Sequence, residues 1–380
     1  ADLIIDLIVL IVCLVLTLAA AKRVFRLRVK LPPAPKPEHP VVLWNPKSGG
    51  GKAASANLAQ AASVRGIKPV QLSKDVDLEQ LVRAAIADGA DALAAAGGDG
   101  TQAIVAGLAA EHDLPFACIP AGTRNHFALD LGLDRTDPRK GMIALRDGVE
   151  RRVDFATVGD RLFVNNVSLG IYATIVQEDE YRDAKLETWA KMLPDLLGPD
   201  APPLDLHFTM PDGEEHSDAP LILVSNNPYQ LTRLAGAGTR ERIDTGTLGV
   251  VAARVNSAAD VAQLVTLELA GQAARFPGLL TWAARTFEVH SDAPVEVGLD
   301  GEALVMESPL RFESLPGALR VRIPAHAPGF SPAADAIRGG KLQSSLLGSS
   351  EVERLATLPS REQLIAQVVG LIASPLTGLV

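Results

Sequence analysis

Three times between residues 41 and 128, a short apolar run breaks off in a glycine-rich turn and a helix-forming stretch follows. Val41-Val42-Leu43-Trp44 leads into Asn45-Pro46-Lys47-Ser48-Gly49-Gly50-Gly51-Lys52 and an Ala-rich helical stretch to about Val64. Asp91 to Ala96 leads into Gly97-Gly98-Asp99-Gly100-Thr101 and a helix over Gln102 to Ala110. Pro115 to Ile119 leads into Pro120-Ala121-Gly122-Thr123-Arg124-Asn125-His126-Phe127-Ala128. Between the first two units, Val70 to Ser73 reads as a strand and Leu78 to Ala87 as a helix. Strand–loop–helix units in series predict an α/β domain with a parallel sheet covered by helices. Ligands of such sheets bind outside the carboxyl ends of the strands, where all three turns lie, so the turns can converge on one site. Glycine turns let backbone N–H groups approach a phosphate, and helix N-termini add partial positive charge.

The known phosphate motifs do not fit these turns. Gly51-Lys52 is followed by Ala53, not by the Ser or Thr of a Walker A loop. Gly98-Asp99-Gly100-Thr101-Gln102-Ala103 matches the dinucleotide pattern, but no acid stands about 20 residues on to hold a ribose. Asp99 is the sharpest residue. An acid between two glycines would repel phosphate unless a cation bridged them, and Mg²⁺ held by a carboxylate and phosphate oxygens is the usual bridge. The alternative is an Asp that caps the following helix.

From Arg152 on the pattern changes. Arg152 to Val158, Leu162 to Leu169, Leu204 to Met210, Ala219 to Ser225, Gly249 to Val255, Thr286 to His290, Val295 to Leu299 and Leu319 to Ile323 are short β-type runs separated by turns. Asp183 to Leu197 and Ala258 to Phe276 read as amphipathic helices. With aromatics at 4%, the core must be built from Ala, Val, Leu and Ile. The net charge of −9, without a basic stripe, argues against nucleic acid as a partner. Two distant cysteines, Cys13 and Cys118, make neither a disulfide framework nor a Cys-based zinc site.

Asn45-Pro46-Lys47-Ser48-Gly49, Gly97-Gly98-Asp99-Gly100-Thr101 and Gly122-Thr123-x-Asn125-x-Phe127-Ala128 occur in the order and spacing of the diacylglycerol kinase catalytic domain, which this chain resembles from about Val41 to Pro324. The resemblance implies an N-terminal parallel-sheet nucleotide-binding domain, a β-rich second domain and an active site between them. It implies ATP and Mg²⁺ as cofactors. Asn45, Ser48, Gly49, Thr123 and Asn125 would lie at the nucleotide, with Ser73 where the family often has a Thr. Gly97, Gly98, Gly100 and Thr101 would cradle phosphates, with Asp99 at the metal. Asp300-Gly301-Glu302 resembles the family's Asp-Gly-Glu turn; it places Asp300 in the catalytic set and makes Glu302 the general base, while a plain hairpin turn is the competing reading. Asn165-Asn166-x-Ser168-x-Gly170 resembles another family segment. His126 replaces an acid common after the family's Asn, and Ile243 to Gly249 lacks two of its acids, so no structural Mg²⁺ site is carried over.

Leu3 to Ala21 is apolar apart from Asp6 and Thr17, close to the ~20 residues that cross a bilayer core. Lys22, Arg23, Arg26, Arg28 and Lys30 follow it and put the rest of the chain on the cytoplasmic side. The expected organisation is thus a membrane anchor with basic flank (1–30), a Pro-rich linker (31–40), a nucleotide-binding domain (41–150), a β-rich acceptor domain (151–325), a linker (326–350) and a C-terminal helix (351–380). The last segment resembles part of the large-subunit ribosomal stalk-base protein, with no ribosomal role inferred. The expectation is a single-pass, membrane-held kinase acting on a membrane lipid, diacylglycerol first, with a homodimer as one assembly. A sphingoid-base or NAD kinase-like enzyme and a non-catalytic nucleotide-binding protein are the alternatives.

Overall fold

The first half builds the expected parallel sheet. The computed structural model describes residues 33–73, 76–123, 125–171, 173, 205–217, 219–230, 239–255, 257–324 and 331–339. Strands β1 (Pro40–Trp44), β2 (Lys68–Gln71), β3 (Ala92–Gly97) and β4 (Phe116–Pro120) align in the order β2-β1-β3-β4, all parallel. Every residue of β3 and β4 is buried, because helices cover both faces. That is why these strands read as unbroken apolar runs rather than alternating ones. The helices are α1 (Ser48–Ser55), α2 (Leu58–Ser63), α3 (Leu78–Ala87), α4 (Asp99–Glu111), α5 (His126–Asp130) and α6 (Ile143–Asp147). Asp77 caps α3 by accepting from Glu79 N–H at 3.0 Å. The Ala-rich stretch after the first turn is two helices rather than one, because Asn57 between them adopts a left-handed conformation (φ 49°).

The second half is antiparallel. Its strands are β5 (Gly148–Val158), β6 (Arg161–Phe163), β7 (Asn166–Gly170), β8 (His207–Thr209), β9 (Glu215–His216), β10 (Leu221–Asn226), β11 (Tyr229–Gln230), β12 (Thr239–Arg240), β13 (Leu248–Ala253), β14 (Leu279–Ala284), β15 (Thr286–His290), β16 (Val295–Leu299), β17 (Glu302–Met306) and β18 (Leu310–Pro324). Leu162 to Leu169, read as one strand, is two, broken between Phe163 and Asn166. Six of the strands form a sheet in the order β14-β13-β10-β7-β16-β17. Leu221 and Leu223 of β10 face helix α7 (Ala258–Leu269), while Ile222 and Val224 face the other sheet. Period-two alternation with both faces buried again reads as one apolar run.

Strand β18 joins the halves. It lies antiparallel to β5 for most of its length, with a register shift between Leu315 and Leu319, and pairs in parallel with β4 at Val321 and Arg322. The parallel sheet therefore continues into β18, β5, β15 and β8 without an open edge at the junction. Phe155, Leu319 and Val321 enter the core around β1, β3 and α4, while Phe312 and Leu310 belong to the core between the two sheets.

Pro33 to Pro40, the described part of the Pro-rich linker, lies along the fold: Pro33 bridges Val149, and Glu38 N–H and His39 N–H donate to the Asp91 carboxylate. Within the stretch read as a second linker, α8 (Pro332–Gly339) forms, with Ser331 Oγ accepting from Ala334 N–H and donating to Asp130 O at 3.0 Å. The membrane anchor (1–30), the helix expected at 183–197 and the C-terminal helix (351–380) lie outside the described residues. Among the described residues no helix is long and apolar enough to cross a membrane.

Candidate active site

The three glycine turns meet at the carboxyl ends of β1, β3 and β4. The first is held by Asn45: its N–H donates to Ala96 O at 3.0 Å, tying it to the end of β3, and its side-chain oxygen accepts from Lys47 N–H at 2.9 Å. Gly49 is left-handed (φ 56°), and a Cβ on it would lie 2.4 Å from Ala121 O, so the first and third turns touch. A Cβ on Gly122 would lie 2.4 Å from Gly98 Cα, so the third turn touches the second. Ser48 Oγ faces Gly98. The buried Gln102 fixes the spacing from below, donating to Ala95 O at 2.8 Å and Ile119 O at 3.0 Å across the ends of β3 and β4.

Gly98, not Asp99, occupies the cap position of α4, and Asp99 is the first helical residue. Its carboxylate crosses to the third turn and accepts from His126 N–H at 3.2 Å and Phe127 N–H at 3.3 Å. Asp99 thus steadies the start of the neighbouring helix α5, not that of its own. Each oxygen accepts one bond and so keeps a lone pair for another partner. Asn125 is 2% exposed and left-handed (φ 52°), and its amide is closed on Gly122, accepting from the N–H and donating to the oxygen. Asn125 therefore shapes the turn through its own backbone. Thr123 is exposed and lines a cavity of about 500 Å³ with Lys52, Leu133 and Arg135. Thr101 packs on Gly97. Ser73 stands two residues past β2, on the same sheet edge, and no described bond joins it to the turns.

The acidic turn of the second half reaches this cluster. Asp300 (φ 47°) and Gly301 (φ 89°) are both left-handed and join β16 to β17, with Leu299 paired to Glu302. This is the two-residue hairpin expected of Asp-Gly, whose backbone matches the strand twist. Asp300 then does more than turn. Its carboxylate accepts from the N–H groups of Val164, Asn165 and Asn166 at 2.9, 2.8 and 3.0 Å, in the break between β6 and β7. Burial raises its carboxyl from the usual 3.8 to about 7; the three backbone donors pull it down, and the nearby Asp99 charge pushes it up. The hairpin carries Glu302 against Gly100, where a Cβ would lie 2.1 Å from Glu302 Oε1. The glycine turns of the first half and the Asp300–Glu302 hairpin of the second thus lie together.

The diacylglycerol kinase catalytic domain profile matches residues 39–158. The chain is 30% identical over 305 residues to "Probable lipid kinase YegS-like" of Pseudomonas aeruginosa, spanning 76% of this chain and 95% of that one. The chain belongs to the diacylglycerol kinase catalytic domain family. It is 27% identical over 302 residues to a "Diacylglycerol kinase" of Mycobacterium tuberculosis, spanning 75% of this chain and 94% of that one. A solved diacylglycerol kinase structure from Bacillus anthracis shares the fold, with a TM-score of 0.54 at 18% identity over 77% of this chain and 99% of that one.

Within this kinase family fold, four further polar residues hold the site and gave no local signal in the sequence. Asp130 and Arg240 form a buried ion pair; Asp154 accepts from Gly246 N–H at 2.6 Å and Gly317 N–H at 2.9 Å. Asn226 donates to Asp154 O at 2.9 Å. Asp244, in the segment where acids are missing, is gripped by Arg242 through two bonds of 2.7 Å. Among the described residues no cluster of three or more His, Cys, Asp or Glu could hold a metal. The residues at the turns nevertheless suit Mg²⁺, because Asp99 offers hard oxygen beside backbone donors and the ion keeps most of its shell as phosphate oxygens and water.

Proposed function

We propose that the protein is an ATP-dependent lipid kinase that transfers the γ-phosphate of ATP to a lipid hydroxyl, diacylglycerol first, at the cytoplasmic face of a membrane. The observation that carries this reading is that Glu302, an exposed carboxylate of the second half, stands against the Asp99–Gly100 turn where the three glycine loops meet. Phosphoryl transfer needs positioning and electrostatic stabilisation more than covalent chemistry. The backbone of Gly97 to Thr101 and the first turn would hold the triphosphate, with Thr123 beside it. Asp99 would hold Mg²⁺, which supplies charge neutralisation at the phosphates. Glu302 accepts the proton of the attacking hydroxyl. The hydroxyl oxygen forms a bond to the γ-phosphorus, the bond from that phosphorus to the bridging oxygen breaks, and ADP leaves. Asp300 holds the backbone of 164–166 and sets the hairpin that presents Glu302. The apolar segment 3–21 and the basic residues after it support a membrane address, where a water-insoluble acceptor is within reach.

The test is transfer of labelled phosphate from ATP to diacylglycerol, sphingosine and NAD, side by side in mixed micelles. Transfer to diacylglycerol above the others is expected. Preference for NAD, or ATP binding without transfer to any acceptor, would sink the reading.

A further inference from the structure

We propose that Arg240 is a positioning residue that locks the acid-bearing turn of one half to the phosphate-binding turn of the other, with Asp130 as its anchor; this rests on the lipid-kinase reading of the site above. Arg240 is wholly buried in β12, which pairs antiparallel with β11, and Asp130, 3% exposed, ends α5. All five guanidinium N–H donors are engaged. Nε donates to Asp130 at 2.8 Å and Nη2 to the same oxygen; Nη1 donates to Val164 O at 2.8 Å and Asn226 O at 2.7 Å; Nη2 also reaches Asn165 Oδ1 at 3.3 Å. The guanidinium lies over the Tyr229 ring, whose hydroxyl accepts from Asn166 Nδ2.

These partners close a circuit. Residues 164–166 are held from one side by Arg240 through oxygens and from the other by Asp300 through N–H groups. Asp300 carries Glu302, and Glu302 stands against Gly100, next to Asp99. The Asp99 carboxylate holds the first N–H groups of α5, and α5 ends in Asp130. Ser331, just before α8, donates to Asp130 O. A loose ion pair on the surface would contribute little to geometry. A buried fork with every donor engaged fixes both angle and distance. A lysine has three donors and no fork, so it cannot replace this arginine.

The experiment must separate alignment from stability, since Arg240→Met alone strands a buried carboxylate and unfolds easily. Removing both charges with Asp130→Leu/Arg240→Met is far better tolerated, because a buried ion pair exchanged for apolar groups is often neutral. In the full chain this double variant is expected to fold cooperatively with a lowered melting temperature, because Val164 O, Asn226 O and Asn165 Oδ1 lose a donor, and to keep a KM for ATP within about threefold. Its kcat for lipid phosphorylation is expected to fall at least ~10-fold, with amide exchange at Val164, Asn165 and Asn166 at least ~10-fold faster. Wild-type kcat and exchange in the double variant would overturn the proposal, as would a loss that appears in KM for ATP alone or exchange that quickens equally everywhere. If the wild-type chain itself phosphorylates no lipid, the functional reading fails instead. The positioning role is then judged by the exchange at 164–166: faster supports it, unchanged refutes it.

Discussion

Glu302 lies so close to Gly100 that no side chain can be added there without meeting it: a Cβ would stand 2.1 Å from Oε1 and 2.9 Å from the carboxyl carbon. The two residues come from different halves, one from the hairpin β16–β17 and one from the first turn of α4. The contact is with the far end of a flexible side chain rather than with backbone, so an intruding methyl would push the carboxylate aside and leave the fold in place.

Gly100→Ala therefore separates activity from stability. Gly100 is helical, and alanine favours a helix by about 0.5–1 kcal/mol over glycine. The melting temperature should stay level or rise, while phosphate transfer falls at least ~10-fold because Glu302 is displaced. An active Gly100→Ala enzyme would mean that Glu302 does not work from this place.

The two acids themselves are tested by Asp99→Asn and Glu302→Gln. Each keeps shape and removes charge, and each should lower transfer at least ~100-fold with the circular dichroism spectrum unchanged. Asp99→Asn should also weaken the dependence on Mg²⁺, whereas Glu302→Gln should leave it intact. A near-normal rate in either variant would remove the role assigned to that residue.

The glycine turns were legible because backbone geometry demands particular residues at fixed offsets. Gly49 needs a left-handed conformation, and Gly122 needs the room that a side chain would take from Gly98. The Asp300-Gly301 hairpin was legible for the same reason, with positive φ at both positions. The Asp130–Arg240 pair was not: 110 residues separate the partners, and neither sits in a local pattern that marks it. The course of β18 was hidden too. Leu319 to Ile323 reads as one short run, yet the strand starts at Leu310, and its parallel pairing with β4 is a long-range choice set by the sheet. Asn125 shows a subtler limit. Its place in the motif was visible, but the left-handed backbone that turns its amide onto Gly122 was not.

Deleting residues 1–30 tests the membrane address. The variant should move from the membrane fraction to the soluble one. Transfer to diacylglycerol in vesicles should fall at least ~10-fold if this segment is an anchor, since an anchor would raise the local concentration of acceptor, while transfer to a short-chain acceptor in micelles should hold within about threefold. Full retention in the membrane fraction would show that another surface does the holding.

Asp300 gives a dependence on pH whose sign follows from its burial. The carboxyl is raised from 3.8 to about 7 in the folded chain, chiefly by burial. The unfolded chain releases this proton near pH 4, so between about pH 4 and 7 the folded state holds a proton that the unfolded state has lost. The group's stabilisation is therefore complete below about pH 4 and is lost as the pH rises through about 7. Asp300→Asn cannot titrate, so the melting temperature of the variant minus that of wild type should climb between about pH 4 and 7 and level off above. Because the Asp99 charge adds to the shift, Asp99→Asn should move the wild-type transition to lower pH. Parallel melting curves for wild type and Asp300→Asn across that range would show that Asp300 is ionised throughout, held charged by the three N–H groups of residues 164–166.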